Sequence, residues 1–278
     1  MNEILRVEGL TKTFSKKGIF HSNSNSVKAV NDVSFSLIEG EILAIAGQTG
    51  SGKSTIAKLI LRSIEPDSGK IFFNGSEISN DSKNLKKLRR QCQIIHQDPY
   101  DSINPRMKIF DIINEPLEIH NKVNKQKRRQ IILETLKLVK LEPVEEILDK
   151  FPHMLSGGQR QRVAIARALV TKPQVIIADE PVSMLDVSVR GEILELLTEI
   201  QKKHNISFIY ITHDLATAKY FANKIIILFS GKIMESGSID DVLTNPVHAY
   251  TQALIDAIPN PNPKNLYKEK KIKWKIDS

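Results

Sequence analysis

Apolar and polar residues alternate in short runs along residues 4–38, as in Leu5-Val7-Leu10 and Val33-Phe35-Leu37, and a Ser/Asn-rich stretch from His21 to Ser26 separates them. A period of two belongs to a strand with one covered face, so this segment predicts antiparallel strands joined by a loop. The pattern then changes. Ile42-Leu43-Ala44-Ile45-Ala46 is apolar at every position, as expected of a strand buried on both faces. Ser54 to Ser63 fits a helix, Pro66-Asp67-Ser68-Gly69 a turn, and Lys70 to Gly75 a strand closed by Asn-Gly.

From about Asp81 to Val170 the spacing is mainly helical, apart from a short strand at Gln93-Ile94-Ile95; Ile131, Ile132, Leu136, Leu138 and Val139 recur at helical intervals. Strands at 174–178, 206–212 and 224–229 follow, with a helix over about 189–203 and no internal repeat. The order predicts an α/β fold: a core with a parallel sheet, N-terminal antiparallel β strands, and an inserted helical subdomain over about 85–170. One domain is expected over 1–259, including an extension from about 240, with 260–278 as a basic tail.

The first candidate chemistry lies between the apolar strand and the helix after it. Gly47-Gln48-Thr49-Gly50-Ser51-Gly52-Lys53-Ser54 matches the phosphate-cradling pattern G-x-x-x-x-G-K-[ST] at every fixed position. Its glycines let successive N–H groups turn inward around phosphate oxygens, and the helix start adds free donors and a positive dipole end. Lys53 has the reach for β- and γ-phosphates, and the Ser54 hydroxyl suits Mg²⁺. Such a strand–loop–helix predicts binding of a nucleoside triphosphate across residues 47–55, Thr55 included; the bland reading is a Gly-rich turn that only packs. Downstream, Gln174 to Ala178 is a doubly buried strand ending in Asp179-Glu180. Carboxylates at the C-terminal end of a parallel strand lie beside such a loop. There Asp179 suits Mg²⁺ through water, and Glu180 suits an attacking water.

Composition narrows the classes. The chain has 278 residues, 41% hydrophobic and 26% charged, and no apolar run near the ~20 residues of a membrane span. No apolar signal core follows Met1, so a cytosolic protein is expected. A single cysteine, Cys92, excludes an internal disulfide and is expected to be a small buried or half-buried side chain. The net charge of +8 is concentrated at 83–90, at 122–129 and around Trp274 in the tail. Solvated helix faces are the first reading of these clusters and an anionic membrane surface the second. No nucleic-acid partner is expected, because aromatics are too sparse there for base stacking.

Leu155-Ser156-Gly157-Gly158-Gln159 precedes an amphipathic stretch, Arg160 to Val170. Ser156 and Gln159 form the spacing of a capping box, and the two glycines leave that helix start bare for a close-approaching anion. In this order, the three elements resemble the ATP-binding cassette (ABC) ATPases, whose signature is LSGGQ. The resemblance covers roughly residues 4–259. It implies that Gln97 is the glutamine contacting Mg²⁺ and water, that Ser183-Met184-Leu185-Asp186 is the D-loop, and that His213 is the switch histidine. It further implies that Phe14 stacks on adenine, with Phe20 as a competing candidate, and that Ser156, Gly157, Gly158 and Gln159 cap the ATP of a partner subunit. Read singly, the glutamine, histidine and phenylalanine have bland counterparts: a solvated loop residue, a structural histidine, a core aromatic.

A finer resemblance is carried by Gln97 to Met107, Glu115-Pro116-Leu117, Phe151-Pro152-His153 and Pro246-Val247-His248-Ala249-Tyr250-Thr251. These resemble the oligopeptide/dipeptide/nickel importer ATPases, of the second type that such importers encode, which implies an ATP-hydrolysing subunit that powers uptake of peptides, nickel or metal chelates. Expected partners are therefore membrane permeases, a second ABC ATPase subunit (a heterodimer with a related ATPase, as the subfamily suggests, or a homodimer), and indirectly an extracytoplasmic binding protein, with the chain on the cytoplasmic face of the membrane. Without further cysteines, no iron–sulfur element is expected. Gln48 stands where many relatives have an acidic residue, at a position that offers mainly its backbone. The competing readings are an exporter ATPase, a soluble ABC protein acting on ribosomes or DNA, and a small-molecule kinase. LSGGQ opposes the kinase, and the single cassette opposes the soluble protein.

Overall fold

The computed structural model describes residues 2–15, 26–99, 103–120 and 124–257. Two sheets organise them. In the first, β1 (Glu3–Ser15) pairs antiparallel with β2 (Ser26–Ile38) on one side and β4 (Ser68–Phe73) on the other, and β5 (Ser76–Glu77) completes the order β2-β1-β4-β5. The second contains β3 (Ile42–Ala46), β6 (Cys92–Ile95), β7 (Val175–Asp179), β8 (Ser207–Thr212) and β9 (Lys224–Phe229), all mutually parallel. An antiparallel edge strand, β10 (Lys232–Ser238), makes the order β10-β9-β3-β8-β7-β6.

The period of two within each buried strand divides the core. Leu43 and Ile45 face the antiparallel sheet and α1 (Lys53–Ile60), while Ile42, Ala44 and Ala46 face the helices on the other side. β7 does the same with Val175 and Ile177 against Ile176 and Ala178. Both faces of the parallel sheet are thus covered, which explains the unbroken apolar runs. Cys92 is buried on the antiparallel-sheet side, and burial pushes its thiol up to about 12, so it is an inert core residue.

Between β6 and β7 the chain is helical. After α2 (Ser82–Gln91), which leads into β6, come α3 (Ile109–His120), α4 (Lys125–Leu138), α5 (Val144–Leu148) and α6 (Gly157–Leu169). The last four pack on one another. The later helices are α7 (Val187–His204), α8 (Leu215–Phe221), α9 (Ile239–Thr244) and α10 (Ala249–Asp256). The expected strand and helix positions recur within a few residues. β10 and the two helices after it are the additions, because the half-exposed run Lys232–Ser238 shows no clean alternation. Residues 16–25, with Phe20, and the tail from 258 lie outside the described residues.

Candidate active site at the ends of the parallel strands

β3 ends at Ala46, and the next residues turn back over it. Gly47 and Gly52 adopt φ of 156° and 108°, values that favour glycine. Close packing adds a second reason. A Cβ on Gly47 would come within 2.1 Å of the Leu228 carbonyl oxygen, and one on Gly52 within 2.2 Å of the Ala29 carbonyl oxygen. The loop is therefore clamped between β9 and β2, with Thr49 and Gly50 exposed at its crest. Gly52 caps α1 without a side-chain bond, and the first turn of that helix carries no acid. Its N–H donors thus face outward unclaimed by side chains.

Lys53 is buried and curls over the loop, its Nζ donating to the carbonyls of Gly47 (2.7 Å) and Gln48 (2.9 Å). Burial holds its pKa below the ordinary lysine value, opposed by the charges of Glu180 and Asp179. The Ser54 hydroxyl donates to Asp179 Oδ1 at 3.2 Å. Asp179 is raised above the usual carboxylate range by burial, with the Glu180 charge adding to it and the Ser54 bond opposing. A hydroxyl and a poorly solvated carboxylate at this spacing are a fitting pair of oxygen ligands for a hard divalent cation. Among the described residues no group of three or more His, Cys, Asp or Glu forms a metal cage.

Glu180 follows β7 with φ of 49°, an uncommon conformation for a residue with a side chain. Its N–H is held by the Ile211 carbonyl at 2.9 Å. The side chain is largely covered, and its two oxygens have separate partners. Oε2 accepts from Gln97 Nε2 at 3.1 Å, and Oε1 lies 3.0 Å from His213 Nδ1. Gln97 follows β6, Glu180 follows β7 and His213 follows β8, which are adjacent strands. The sheet order brings these three expected residues together. It also places β8 between β3 and β7, so the carboxylates reach the phosphate loop across one strand.

Ser156 caps α6 as its spacing predicts: its Oγ accepts from Gln159 N–H (3.3 Å), and Gln159 Oε1 accepts from Ser156 N–H (3.0 Å). This helix start abuts the chain that begins α7. A Cβ on Gly158 would meet Val189 Cγ1 at 2.7 Å, and one on Gly157 would meet Leu185 Cδ2 at 3.7 Å. Phe14 is 44% exposed near the end of β1 beside Val27, with Lys12 Nζ 5.9 Å from its ring centre. It is not a core aromatic. A cavity of about 600 Å³, lined in part by Glu39, Gln174, Asn205 and Ile206, lies at the opposite, N-terminal ends of β3, β7 and β8. The chemistry-bearing side chains are all at the C-terminal ends, where parallel sheets bind ligands. Sequence reasoning missed the supports of the loop, Leu228 and Gly231, which carry no motif of their own.

Comparison with known proteins agrees with this geometry. Residues 30–183 match the "ABC transporter" family model, and residues 234–275 match "Oligopeptide/dipeptide transporter, C-terminal region". The chain is 42% identical over 277 residues to the probable peptide ABC transporter ATP-binding protein y4tS of Sinorhizobium fredii, covering 99% of this chain and 78% of that protein. It is 41% identical to the dipeptide transport ATP-binding protein DppF of Escherichia coli, covering 95% and 78%. The oligopeptide transport ATP-binding protein OppF of Bacillus subtilis is also 41% identical, with 93% and 84% covered. Among solved structures, cbiO1 of Clostridium perfringens, part of the ABC transporter complex cbiONQ, superposes with a TM-score of 0.76 at 30% identity, covering 88% of this chain and 92% of that one. The ATP-binding cassette MJ0796, in a dimeric post-hydrolysis state bound to ADP and Pi, gives 0.74 at 30% identity, covering 85% and 99%. A phosphate loop, an Asp-Glu strand end and an LSGGQ helix start on an α/β cassette fold thus agree with sequence kinship along nearly the whole length, and the chain belongs to the ABC transporter family, as the ATP-hydrolysing, nucleotide-binding subunit of an importer.

Proposed function

We propose that this subunit hydrolyses MgATP at the ends of β3, β6, β7 and β8 to energise uptake of peptides. The contact set of Glu180, bonded at one oxygen by Gln97 and facing His213 at the other, is the observation that carries this reading. The triphosphate lies along Gly47, Gln48, Thr49, Gly50, Ser51, Gly52, Lys53, Ser54 and Thr55, with Phe14 against the adenine. Magnesium, held through Ser54, Asp179 and Gln97, supplies neutralisation of phosphate charge when bound. Glu180 takes the proton of the attacking water as that oxygen bonds to the γ-phosphorus and the bond to ADP breaks. Gln97 orients the carboxylate and the water, and His213 stabilises the charge on the far side.

Ser156, Gly157, Gly158 and Gln159 sit on a different block of the chain from the phosphate loop. In this reading they complete the ATP site of a neighbouring ATPase subunit, a related chain rather than a second copy. Closure of that pair excludes water and strengthens every charge interaction inside. The catalytic unit is residues 1–259, with the helices of about 85–170 as its inserted subdomain.

No described helix is long and apolar enough to cross a membrane. Permease subunits therefore carry the cargo, a binding protein delivers it from outside, and this chain works from the cytoplasmic face. Peptides are favoured as cargo because the similar proteins are described as dipeptide, oligopeptide or peptide transport ATPases. Nickel and metal chelates, expected with peptides from the sequence, have no such support. Reconstitution with candidate permeases and their binding protein tests the reading: peptide should stimulate ATP turnover. Stimulation by a nickel chelate alone would replace the cargo, and turnover indifferent to any permease would refute the transport role.

A further inference from the structure

The turn that follows Glu180 is fastened from behind by an arginine that the chemistry above leaves unused. Glu180 leaves β7 with φ of 49°, a conformation that persists in a residue with a side chain only where its surroundings enforce it. The next residues supply part of that enforcement. The Glu180 carbonyl oxygen accepts from the Ser183 N–H at 3.2 Å and from the Ser183 hydroxyl at 3.0 Å. Ser183 is therefore the clasp of a tight turn, and whatever fixes Ser183 also fixes the Glu180 peptide.

Arg190 does so. It lies one turn into α7, and its half-buried side chain reaches back to the segment before that helix. Nε donates to the Leu185 carbonyl at 2.8 Å, and Nη2 donates to the Ser183 carbonyl at 3.3 Å. A planar guanidinium fork addresses two acceptors in a fixed geometry, which a compact ammonium does not. Bonds from a charged donor are also stronger than neutral ones. The location is otherwise unfavourable, because a cation near a helix N-terminus faces the positive end of the dipole. Two carbonyls aimed at the guanidinium offset that cost. Packing anchors the turn at Leu185, but its neighbours Met184 and Val187 are exposed, so the backbone bonds carry the rest.

We propose that Arg190 is a positioning residue for ATP hydrolysis: its guanidinium clamps the Ser183 and Leu185 carbonyls, which keeps Ser183 on the Glu180 carbonyl and the Glu180 carboxylate between Gln97 and His213. This deepens the assignment of Glu180 as the base and rests on it. Without the clamp two carbonyls lose their donors, and Glu180 relaxes toward a negative φ that carries its side chain off the attacking water. Arg190→Lys keeps a cation without the fork, and Arg190→Met keeps the stem without a donor. In the full-length chain assembled with its permeases, single-turnover hydrolysis should fall about tenfold in the first. In the second it should fall about 100-fold, the cost of misplacing a reacting group by about 1 Å. The Kd for ADP should stay within about twofold, since the bonds of Arg190 go to Ser183 and Leu185 and not to the phosphate loop.

A double variant separates positioning from scaffolding. In a Glu180→Gln background the carboxylate is already gone, so adding Arg190→Lys should change the residual rate by no more than about twofold. A further loss as large as that seen with Glu180 intact would overturn the proposal, as would wild-type turnover in Arg190→Met. An ADP affinity that falls in step with the rate overturns it too, since that is the mark of a general loss of structure. Should Glu180→Gln itself turn over ATP at the wild-type rate, the base assignment falls instead, so the two failures are distinguishable.

Discussion

Glu180 Oε1 lies 3.0 Å from His213 Nδ1 while its other oxygen accepts from Gln97 at 3.1 Å, so one carboxylate joins the ends of three adjacent strands. The contact set needs an acceptor at its centre. Glutamine at 180 keeps the shape but offers a far weaker base. Glu180→Gln should reduce ATP turnover by about 10²–10⁴-fold, the usual worth of a positioned general base. Nucleotide affinity should be retained, as read by single-turnover kinetics beside equilibrium titration. Wild-type turnover in this variant would remove Glu180 from the chemistry.

Lys53 is poised rather than free, since burial depresses its pKa and two loop carbonyls hold its ammonium. Lys53→Ala leaves those carbonyls without their donor and the phosphates without a charge-assisted bond. A loss of about 1.5–3 kcal/mol for such a bond corresponds to an about 10–150-fold weaker Kd for ATP. Fluorescence titration with a nucleotide analogue reads it directly, and unchanged affinity would contradict the assignment.

The two signature glycines differ sterically. Alanine at 158 drives its Cβ toward Val189 Cγ1, 2.7 Å away on a stiff β-branched side chain, whereas at 157 the nearest atom is 3.7 Å away. Gly158→Ala should therefore destabilise by about 1–3 kcal/mol through overpacking, while Gly157→Ala is neutral or slightly stabilising. Urea midpoints of both variants test the difference. The double variant Gly158→Ala/Val189→Ala should recover most of the loss, and failure to recover would place the strain elsewhere.

Glu235 gives a pH signature to the turn between α9 and α10. Burial works against its charge, but the Val247 and His248 amides that donate to it outweigh burial and hold the folded carboxyl below the usual range. Its contribution to stability is fully present above the unfolded value of about 4.3. It is lost as pH falls through the lower folded value. The stability gap between wild type and Glu235→Gln should be constant at neutral pH and shrink below about pH 4.3. A gap independent of pH across that window would show that the carboxylate is not held as described.

Local physics made much of this protein legible. The glycine spacing between 47 and 52 and the Ser156–Gln159 capping box act within a few residues, so the chain alone announces them. Period-two runs located the N-terminal antiparallel strands and unbroken apolar runs the parallel ones, because a strand buried on one or both faces must display its burial in sequence. The family resemblance marked Gln97, Glu180 and His213 singly, but nothing local says that β6, β7 and β8 lie side by side. Strand order is a non-local pairing, and only the folded sheet brings those three side chains onto one carboxylate. Gly47 shows the same limit. Its spacing announces a phosphate loop, but that the Leu228 carbonyl lies against it was decided by the pairing of β3 with β9, far apart in sequence.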